Sequence, residues 1–325
     1  MILEQPSVRF EAIHSILSSD RNILSASELC KTAGVSRSGY YRWLSASEAR
    51  EKREARDRED FKLVLEAYSH RGYQKGARSI YMSLLHRDPP VVMNVKKIRR
   101  LMDKYGLSCP IRKANPYRRM AKALRTSNVA DNLLKREFRK YGPRTVLLTD
   151  ITYLPYNGAF AYLSTILDAF TKQVLAYAIS PSLEIDFVLE TVDILIKDHG
   201  AELKTRTLLH SDQGCHYTSY SYIDILKDSS LRQSMSRKGN CWDNAPQESF
   251  FGHMKDEIDI SGCQTFDEVK AVIDDWMDYY NNERYQWQLA RLSPNEYYQY
   301  VQTGVYPLHV DTIPPIPEFE EPEDN

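Results

Sequence analysis

The amino-acid sequence predicts an α/β protein in which a mixed β-sheet flanked by helices follows an all-helical front part. Residues 145–180 contain three consecutive runs rich in β-branched and aromatic residues, with the hairpin signal Asn157-Gly158 after the first. From residue 183 onward, helical and strand-like segments alternate, which is typical of a sheet with helices on its faces. The first 105 residues predict helices separated by tight turns.

The first predicted strand, within Thr145–Leu154, contains an aspartate in its middle. Aspartate is depleted in strands, and a buried carboxylate needs a partner. The order of the following elements allows Asp150 in the first strand to lie beside Asp212 at the end of the fourth. These elements are two strands, a helix and a strand, predicted over Phe160–Leu167, Gln173–Ile179, Leu183–Lys197 and Thr207–Ser211.

Two more acids have defined local settings. Asp212 follows an apolar run and precedes Gln213-Gly214, a turn that leaves its carboxylate at a strand tip. Glu248 follows Asp243-Asn244-Ala245-Pro246, where an N-cap residue and a proline near the first helical position predict the start of a helix. Glu248 is therefore expected in the first turn of that helix.

The helix that carries Glu248 is predicted to be amphipathic. Its apolar stripe consists of Phe250, Phe251, Met254 and Ile258. Glu248, Gly252 and Lys255 fall roughly 110° away, on a separate face. Glycine there costs about 1 kcal/mol of helix stability relative to alanine, which indicates close approach of another backbone or a ligand. The alternative is a solvated surface acid beside a chance glycine.

The net charge of −1 conceals a strong asymmetry between the two halves of the chain. Residues 1–149 contain 31 Lys and Arg against 15 Asp and Glu, whereas residues 150–325 contain 12 against 29. This asymmetry favours polyanion binding by the front half. A merely solvated charged face would not explain why residues 104 to 130 include seven basic side chains, with acids absent after Asp103 until Asp131.

Within the front half, residues 27–44 predict a helix-turn-helix. The two helices are Ser27–Ala33 and Ser36–Leu44, and the inward residues are Leu29, Ala33, Val35, Tyr41 and Leu44. Arg37, Ser38 and Arg42 then face outward on the second helix, which can enter a major groove. Many small helical hairpins share this pattern, so a purely structural hairpin is the alternative.

A second helical pair is predicted at Gly76–His86 and Asn94–Tyr105. Asn94 can cap the later helix, whose buried stripe is Val95, Ile98, Leu101 and Met102. Basic side chains lie mostly outside this stripe and continue into a proline-interrupted linker, where they suit phosphate contacts that position DNA without specifying sequence. They are Lys96, Lys97, Arg99, Arg100, Lys104, Arg112, Lys113, Arg118, Arg119, Lys122 and Arg125.

Several classes of protein are disfavoured. The first 13 residues carry charges, so no signal peptide is expected, and no apolar run approaches the roughly 18 residues needed to cross a bilayer. The five cysteines are dispersed without a CxxC pair, which indicates reduced thiols. His210, Cys215 and His216 lie close together, but no second cluster completes a zinc site.

Three blocks of the sequence resemble the catalytic blocks of bacterial insertion-sequence transposases of the DDE type. These enzymes are relatives of retroviral integrases and have a ribonuclease-H-like fold. The blocks are TDITYLP from residue 149, HSDQGCHYTS from residue 210 and SRKGNCWDNAPQESFFGHMKDE from residue 236. The stretch YYNNERYQWQLARLSPNEYY resembles the family's C-terminal block. The chain resembles most the downstream-frame product of the group whose enzyme is made by joining two reading frames.

The resemblance, carried over position by position, implies that Asp150, Asp212 and Glu248 form a catalytic triad. Lys255 matches a basic residue that this group has seven positions after the glutamate. Three carboxylates without His or Cys ligands suit Mg²⁺ or Mn²⁺ rather than zinc, and the family's chemistry uses two such ions. The expected enzyme cleaves double-stranded DNA at the element's ends and joins the freed 3′-hydroxyl to target DNA. It is expected to act as a homo-oligomer, a dimer or higher, in the bacterial cytoplasm at the nucleoid.

The expected domains follow from these assignments. They are a helix-turn-helix segment with a charged connecting helix (1–62), a second helical DNA-binding segment (63–110), a basic linker (111–142), a ribonuclease-H-like core (143–262), a helical extension (263–311) and an acidic, proline-rich disordered tail (312–325).

Two alternatives remain open from the residues. A non-enzymatic regulator could occupy element ends through residues 24–105, without cutting DNA. A ribonuclease-H-like nuclease would keep the fold and cut nucleic acid without joining it.

Overall fold

The computed structural model describes residues 5–20, 22–109, 140–203, 207–236 and 244–320. Within these residues the chain contains eleven α-helices and five β-strands, and it divides into two compact units, Met1–Leu65 and Glu66–Asn325. Six basic linker residues that we predicted to contact DNA lie outside the described residues: Arg112, Lys113, Arg118, Arg119, Lys122 and Arg125.

The first unit contains three short helices and most of a long charged one. These are α1 (Pro6–Leu17), α2 (Ala26–Thr32), α3 (Arg37–Ser45) and α4 (Ser47–Ser69). Ser25 forms a capping box with Glu28 at the start of α2, and Ser36 accepts a hydrogen bond from the Gly39 amide at the start of α3. Gly34, with φ of 66°, makes the left-handed turn between them. The predicted helical front part is therefore confirmed.

The inward face of α3 differs by one residue from the prediction. Tyr40 is 2% exposed, whereas Tyr41, which we predicted to face inward, is 48% exposed. The reason is α1, a third helix that the sequence pattern did not reveal to us. The ring of Phe10 on α1 lies 6.3 Å from that of Tyr40 and 6.1 Å from that of Trp43, so the buried face of α3 begins at Tyr40. Outward residues of α3 are Arg37, Ser38 and Arg42.

The second helical pair is α5 (Ala77–Leu85) and α6 (Val95–Lys104), close to the predicted bounds. The Asn94 side chain accepts a hydrogen bond from the Lys96 amide at 2.8 Å and caps α6. The buried stripe of α6 contains Ile98, Leu101 and Met102, with Val95 half-buried. The basic side chains of α6 lie off this stripe: Lys96, Arg99, Arg100 and Lys104 are exposed and Lys97 is half-buried.

Five strands form one mixed sheet in the order β3-β2-β1-β4-β5. They are β1 (Val146–Tyr156), β2 (Ala159–Asp168), β3 (Val174–Ser180), β4 (Leu208–Ser211) and β5 (Arg232–Met235). The first three strands pair antiparallel, and β4 lies parallel to both β1 and β5. The prediction of a mixed sheet in which the first strand neighbours the fourth is therefore confirmed.

Helices cover both faces of the sheet, as expected for this fold class. They are α7 (Asp186–His199), α8 (Tyr220–Asp228), α9 (Ala245–Glu257) and α10 (Phe266–Asn282), and α11 (Pro294–Thr303) follows them and packs in a separate apolar cluster with Phe170. One apolar cluster joins the sheet to α7 and α8, and a second joins it to α9 and α10. In the described residues, every helix is too short or too polar to cross a lipid bilayer.

Packed structure continues beyond residue 311, where we predicted that the disordered tail begins. Ile316 belongs to an apolar cluster that includes Phe170, and the Phe319 ring lies 5.2 Å from the Phe170 ring. The Glu320 amide donates a hydrogen bond to the Lys140 carbonyl oxygen at 2.8 Å. The part of the tail that we predicted to be disordered therefore has defined packing as far as Glu320, and residues 321–325 lie outside the described residues.

Candidate active site

Asp150 and Asp212 both lie just past the C-terminal end of the ladder between β1 and β4, a place that we call the acid edge. The parallel neighbours β1 and β4 pair over residues 146–148 and 208–210. Asp150 follows this paired region on β1 by two residues, and Asp212 is the first residue after β4. Here β4 ends, while β1 continues to Tyr156 beside β2, so the two aspartates share the open end of the parallel ladder.

The carboxylate of Asp212 is held by the turn that follows it. The Gly214 amide donates a hydrogen bond to Asp212 Oδ1 at 2.8 Å. A Cβ atom on residue 214 would lie only 2.9 Å from this oxygen, so glycine is needed for the approach. Burial raises the pKa of Asp212, while the Gly214 amide and the nearby His216 act in the opposite direction.

Glu248 lies in the first turn of α9, as predicted from the sequence. Unpaired amide groups and the helix dipole favour an anionic side chain at that end of a helix. The apolar stripe of α9 orients the helix, because Phe250, Phe251 and Met254 are 3%, 6% and 0% exposed. Glu248 itself is half-buried.

The charge of Asp150 is coupled to those of both other acids. Burial raises the pKa of Asp150 to about 8, and the neighbouring carboxylates of Asp212 and Glu248 contribute to the rise. The Ile151 amide, which donates to Asp150 Oδ1 at 2.8 Å, and the charge of Lys255 oppose it. Without bound cations, this environment therefore favours the protonated form of Asp150.

Lys255 is the predicted DNA-contact residue that the structure brings to the acids. It lies two turns after Glu248 on α9, and the charge of Asp150 raises its pKa against the larger lowering effect of burial. The other predicted contact residues in the described part of the chain lie on different elements. Arg37 and Arg42 are on α3, and Lys96, Lys97, Arg99 and Arg100 are on α6.

The three acids do not form a ligand cluster in the structure. Among the described residues, no group of three or more His, Cys, Asp and Glu side chains has an arrangement that could hold a metal ion. Oδ1 of each aspartate instead accepts a backbone hydrogen bond. The chemistry of the set still fits a hard divalent cation, because all three donors are carboxylates without thiolate or imidazole. Repulsion between unneutralised carboxylates opposes their closer approach.

Two buried polar residues next to Glu248 have partners that we did not predict from the sequence. Asn244 and Gln247 are 4% and 0% exposed, and their amide groups hydrogen-bond to Thr149 of β1 and Thr165 of β2. A signal for Gln247 was present, because it precedes Phe250 and Phe251 by three and four residues. It therefore falls on the buried face of α9, where an amide requires partners.

A cavity of about 370 Å³ lies between the α5 segment, α9 and α10, and the three acids are not among its lining residues. Lys75 lines this cavity and is 5% exposed. Its ammonium group donates hydrogen bonds to the carbonyl oxygens of His70 and Tyr73 at 2.8 and 3.1 Å. The cavity is thus a feature of the junction between the helical pair and the sheet domain, distinct from the acid edge.

Lys75→Met is expected to remove a pH dependence of stability. Burial lowers the pKa of Lys75 from 10.5 to about 8. Between these values the unfolded chain binds a proton that the folded chain does not, so the wild-type protein gains stability as the pH rises through this window. Denaturant unfolding between pH 7.5 and 10.5 should show that Lys75→Met loses this gain. The exposed Lys270 on α10 supplies the control Lys270→Met, and equal pH profiles for the two variants would contradict the prediction.

Three family models match parts of this chain. Two are described as integrase core domains and cover residues 140–241 and 229–294. The third is described as an HTH-like domain and covers residues 54–115. The integrase core matches include all five strands of the sheet and α9, and the HTH-like match includes α5 and α6.

Two relatives align over nearly their whole length. A protein of Escherichia coli K12 named as the transposase InsK for insertion sequence element IS150 is 32% identical over 283 residues, which are 87% of this chain and 96% of that protein. The transposase InsF for insertion sequence IS3A, from the same strain, is 28% identical over 83% of this chain and 92% of its own. Among solved structures, a chain of the simian T-cell lymphotropic virus intasome aligns over 79% of this chain and 78% of its own, with 14% identity and a TM-score of 0.41.

Proposed function

This chain belongs to the family of bacterial insertion-sequence DDE transposases, and we propose that Asp150, Asp212 and Glu248 are its catalytic residues. The proposed reaction is hydrolysis of a DNA strand at the element's end, followed by joining of the freed 3′-hydroxyl to DNA. The observation that carries it is the common edge of β1 and β4 at Asp150 and Asp212, together with the coupling of Asp150 to Glu248 on α9. The action of the Asp212 and Glu248 charges on Asp150, from three different elements, supports one site.

The three carboxylates would hold two Mg²⁺ or Mn²⁺ ions, since hard oxygen donors suit these cations. When bound, such a pair activates the attacking oxygen and stabilises the leaving oxygen of an in-line phosphodiester displacement. Asp150 has to release its proton to serve as a ligand, and its pKa of about 8 allows this near neutral pH. Lys255 would bind a DNA phosphate beside the acids.

The proposed reaction has two displacements at phosphorus. In the first, the oxygen of a water molecule bonds to phosphorus, and the 3′ oxygen leaves and takes up a proton. In the second, the 3′-hydroxyl loses its proton as its oxygen bonds to a phosphorus of target DNA, and a target 3′ oxygen leaves and takes up a proton. The second step exchanges one phosphodiester bond for another, so it needs no external energy source.

Double-stranded DNA is the proposed partner, bound at the element's terminal repeats and at the target. Arg37 and Arg42 of α3 are exposed and suit one contact surface, and the exposed basic side chains of α6 suit another. Bringing two element ends together implies at least two protomers, so we propose a dimer or higher homo-oligomer on DNA. The proposed location is the bacterial cytoplasm, in association with the nucleoid.

The test uses a labelled duplex that contains the element's end, incubated with the full-length chain and Mg²⁺, Mn²⁺ or EDTA. The expected result is metal-dependent nicking, and covalent transfer of a precut end with a labelled 3′-hydroxyl into a second DNA. Shifted but intact DNA under all conditions would identify a regulator that only binds. Metal-dependent cutting without transfer would identify a nuclease. Either of these results would overturn the proposed function.

A further inference from the structure

Two amide side chains tie the start of α9 to the sheet. Asn244 occupies the N-cap position, yet its side chain makes no capping hydrogen bond. Its Nδ2 group instead donates to the Thr149 carbonyl oxygen at 3.4 Å. An N-cap asparagine usually accepts a hydrogen bond from an amide in the first helical turn, so this side chain reaches β1 in place of its usual partner. Gln247 is fully buried, and its Nε2 group donates to Thr165 Oγ1.

Both amide contacts are made next to Asp150. Thr149 precedes Asp150 in β1, and Thr165 is the residue opposite Asp150 in β2. Directly opposed residues of an antiparallel pair point to the same face of the sheet, with Cβ atoms about 4.5–5.5 Å apart. Gln247 therefore contacts the cross-strand neighbour of Asp150, and Glu248 is the next residue of α9. These two hydrogen bonds hold the helix turn that carries Glu248 against β1 and β2 on either side of the Asp150–Thr165 pair.

Each amide also has a buried oxygen that accepts no hydrogen bond from the described residues. Neither Asn244 Oδ1 nor Gln247 Oε1 has a hydrogen-bond partner there. Buried amide oxygens normally accept at least one hydrogen bond. Small divalent cations keep several water ligands, and acceptors just outside the ligand set orient those ligands and tune the affinity for the metal. Both oxygens belong to residues packed against the acid edge, where such waters would be bound.

We propose that Asn244 and Gln247 are positioning residues that hold Glu248 in register with Asp150 and thereby set the affinity of the site for divalent cations. This inference rests on the proposed function, because it assigns the two amides a role toward the cations that the three acids would bind. The amides act through Glu248 and need no contact with DNA. Cation affinity in the absence of DNA is therefore the property that they control.

Gln247→Met tests the inference, because it removes the amide while nearly preserving side-chain volume. Mn²⁺ binding to the purified full-length chain, without DNA, is measured by titration with detection of free Mn²⁺ by electron paramagnetic resonance. The half-saturating Mn²⁺ concentration should rise about 10–100-fold, the usual effect of losing an outer-shell partner. Thr165→Val removes the acceptor of the same hydrogen bond and should also weaken binding. The double variant Gln247→Met/Thr165→Val should bind Mn²⁺ with the same affinity as the single variant of lower affinity. The reason is that both changes break the same hydrogen bond.

Gln173, the residue before β3, supplies a matched control. It is 8% exposed, donates a hydrogen bond to Asn295 Oδ1 at 2.5 Å, and also has a buried oxygen without a partner among the described residues. Gln173→Met should leave Mn²⁺ affinity at the wild-type value. Equal affinities of Gln173→Met and Gln247→Met would overturn the inference, and if Gln247→Met fails to fold, Thr165→Val decides in its place. A wild-type chain that binds no Mn²⁺ would overturn the proposed function as well, a result visible before any substitution.

Discussion

Asp150→Asn, Asp212→Asn and Glu248→Gln are each expected to abolish both strand cleavage and strand transfer while binding of element ends is retained. Each change removes the charge of a proposed oxygen ligand at nearly constant shape. The expected loss is at least about 10³-fold, because metal-assisted displacement contributes several kcal/mol of transition-state stabilisation and roughly 1.4 kcal/mol corresponds to a factor of ten. Gel analysis of labelled ends measures both steps, and a mobility-shift titration measures binding.

If these acids only stabilised the fold, their amide variants would lose stability together with activity. Burial favours the neutral form of Asp150, so Asp150→Asn should fold with a melting temperature no lower than that of the wild-type protein. The exposed Asp198 on α7 supplies the control Asp198→Asn, which should retain full activity. Strand transfer that persists in any of the three amide variants would refute the assignment of that residue.

Arg144→Met is expected to lower the free energy of unfolding by about 3–5 kcal/mol, the usual cost of removing one partner of a buried ion pair. The Arg144 and Asp168 side chains are 3% and 0% exposed, and Arg144 Nη1 lies 3.1 Å from Asp168 Oδ2. Arg144 Nε also donates to Glu202 at 2.9 Å. The carbonyl oxygen of Arg144 also accepts a hydrogen bond from Thr207 Oγ1 at 2.7 Å. This bond joins the residues that precede β1 to the residue that precedes β4. Loss of the guanidinium therefore destabilises the strands that carry Asp150 and Asp212.

Arg71 supplies the matched control for Arg144. It pairs with Asp275, Asp278 and Glu283 at 3.5, 2.8 and 2.8 Å, but its side chain is 29% exposed and the two aspartates are more than half exposed. Its pair with Glu283 is partly buried, at 29% and 27% exposure, but exposed ion pairs contribute only about 0–1 kcal/mol, so Arg71→Met should destabilise the protein less than Arg144→Met. Guanidinium chloride unfolding followed by tryptophan fluorescence measures both variants. If the two variants lose similar free energies of unfolding, the prediction for the buried ion pair of Arg144 is contradicted.

A mixed sheet in which the first strand neighbours the fourth could be predicted because it follows from local patterns. The Asn157-Gly158 signal joins β1 to β2, and the alternation of helices and strands after residue 183 favours a parallel fourth strand. The strand bearing Asp150 was unusual in sequence because a carboxylate interrupts a β-rich run. The start of α9 was encoded by Pro246 and the residues before it. These are interactions between residues close together in the chain.

Features that depend on distant packing could not be predicted in the same way. Tyr40 and Tyr41 are adjacent residues of the same type, so local sequence does not show which one is buried. The contact between Tyr40 and Phe10 on α1 decides it. Phe319 packs on Phe170 across 149 positions of the chain, and the proline-rich composition around it predicts disorder instead. The hydrogen bond from Gln247 to Thr165 likewise joins residues from two different elements. The helical periodicity of α9 predicts that Gln247 is buried, but it does not predict which residue accepts its hydrogen bond.

The most direct test of the three-acid site is the position of Mn²⁺ in crystals of the protein bound to element-end DNA, located by anomalous scattering. The expected result is two Mn²⁺ peaks between the carboxylates of Asp150, Asp212 and Glu248, with metal–oxygen distances of about 2.0–2.3 Å, close to those of other hard divalent cations. A DNA-engaged complex in which Mn²⁺ is bound elsewhere, or in which any of the three carboxylates points away from the metals, would contradict the proposed site.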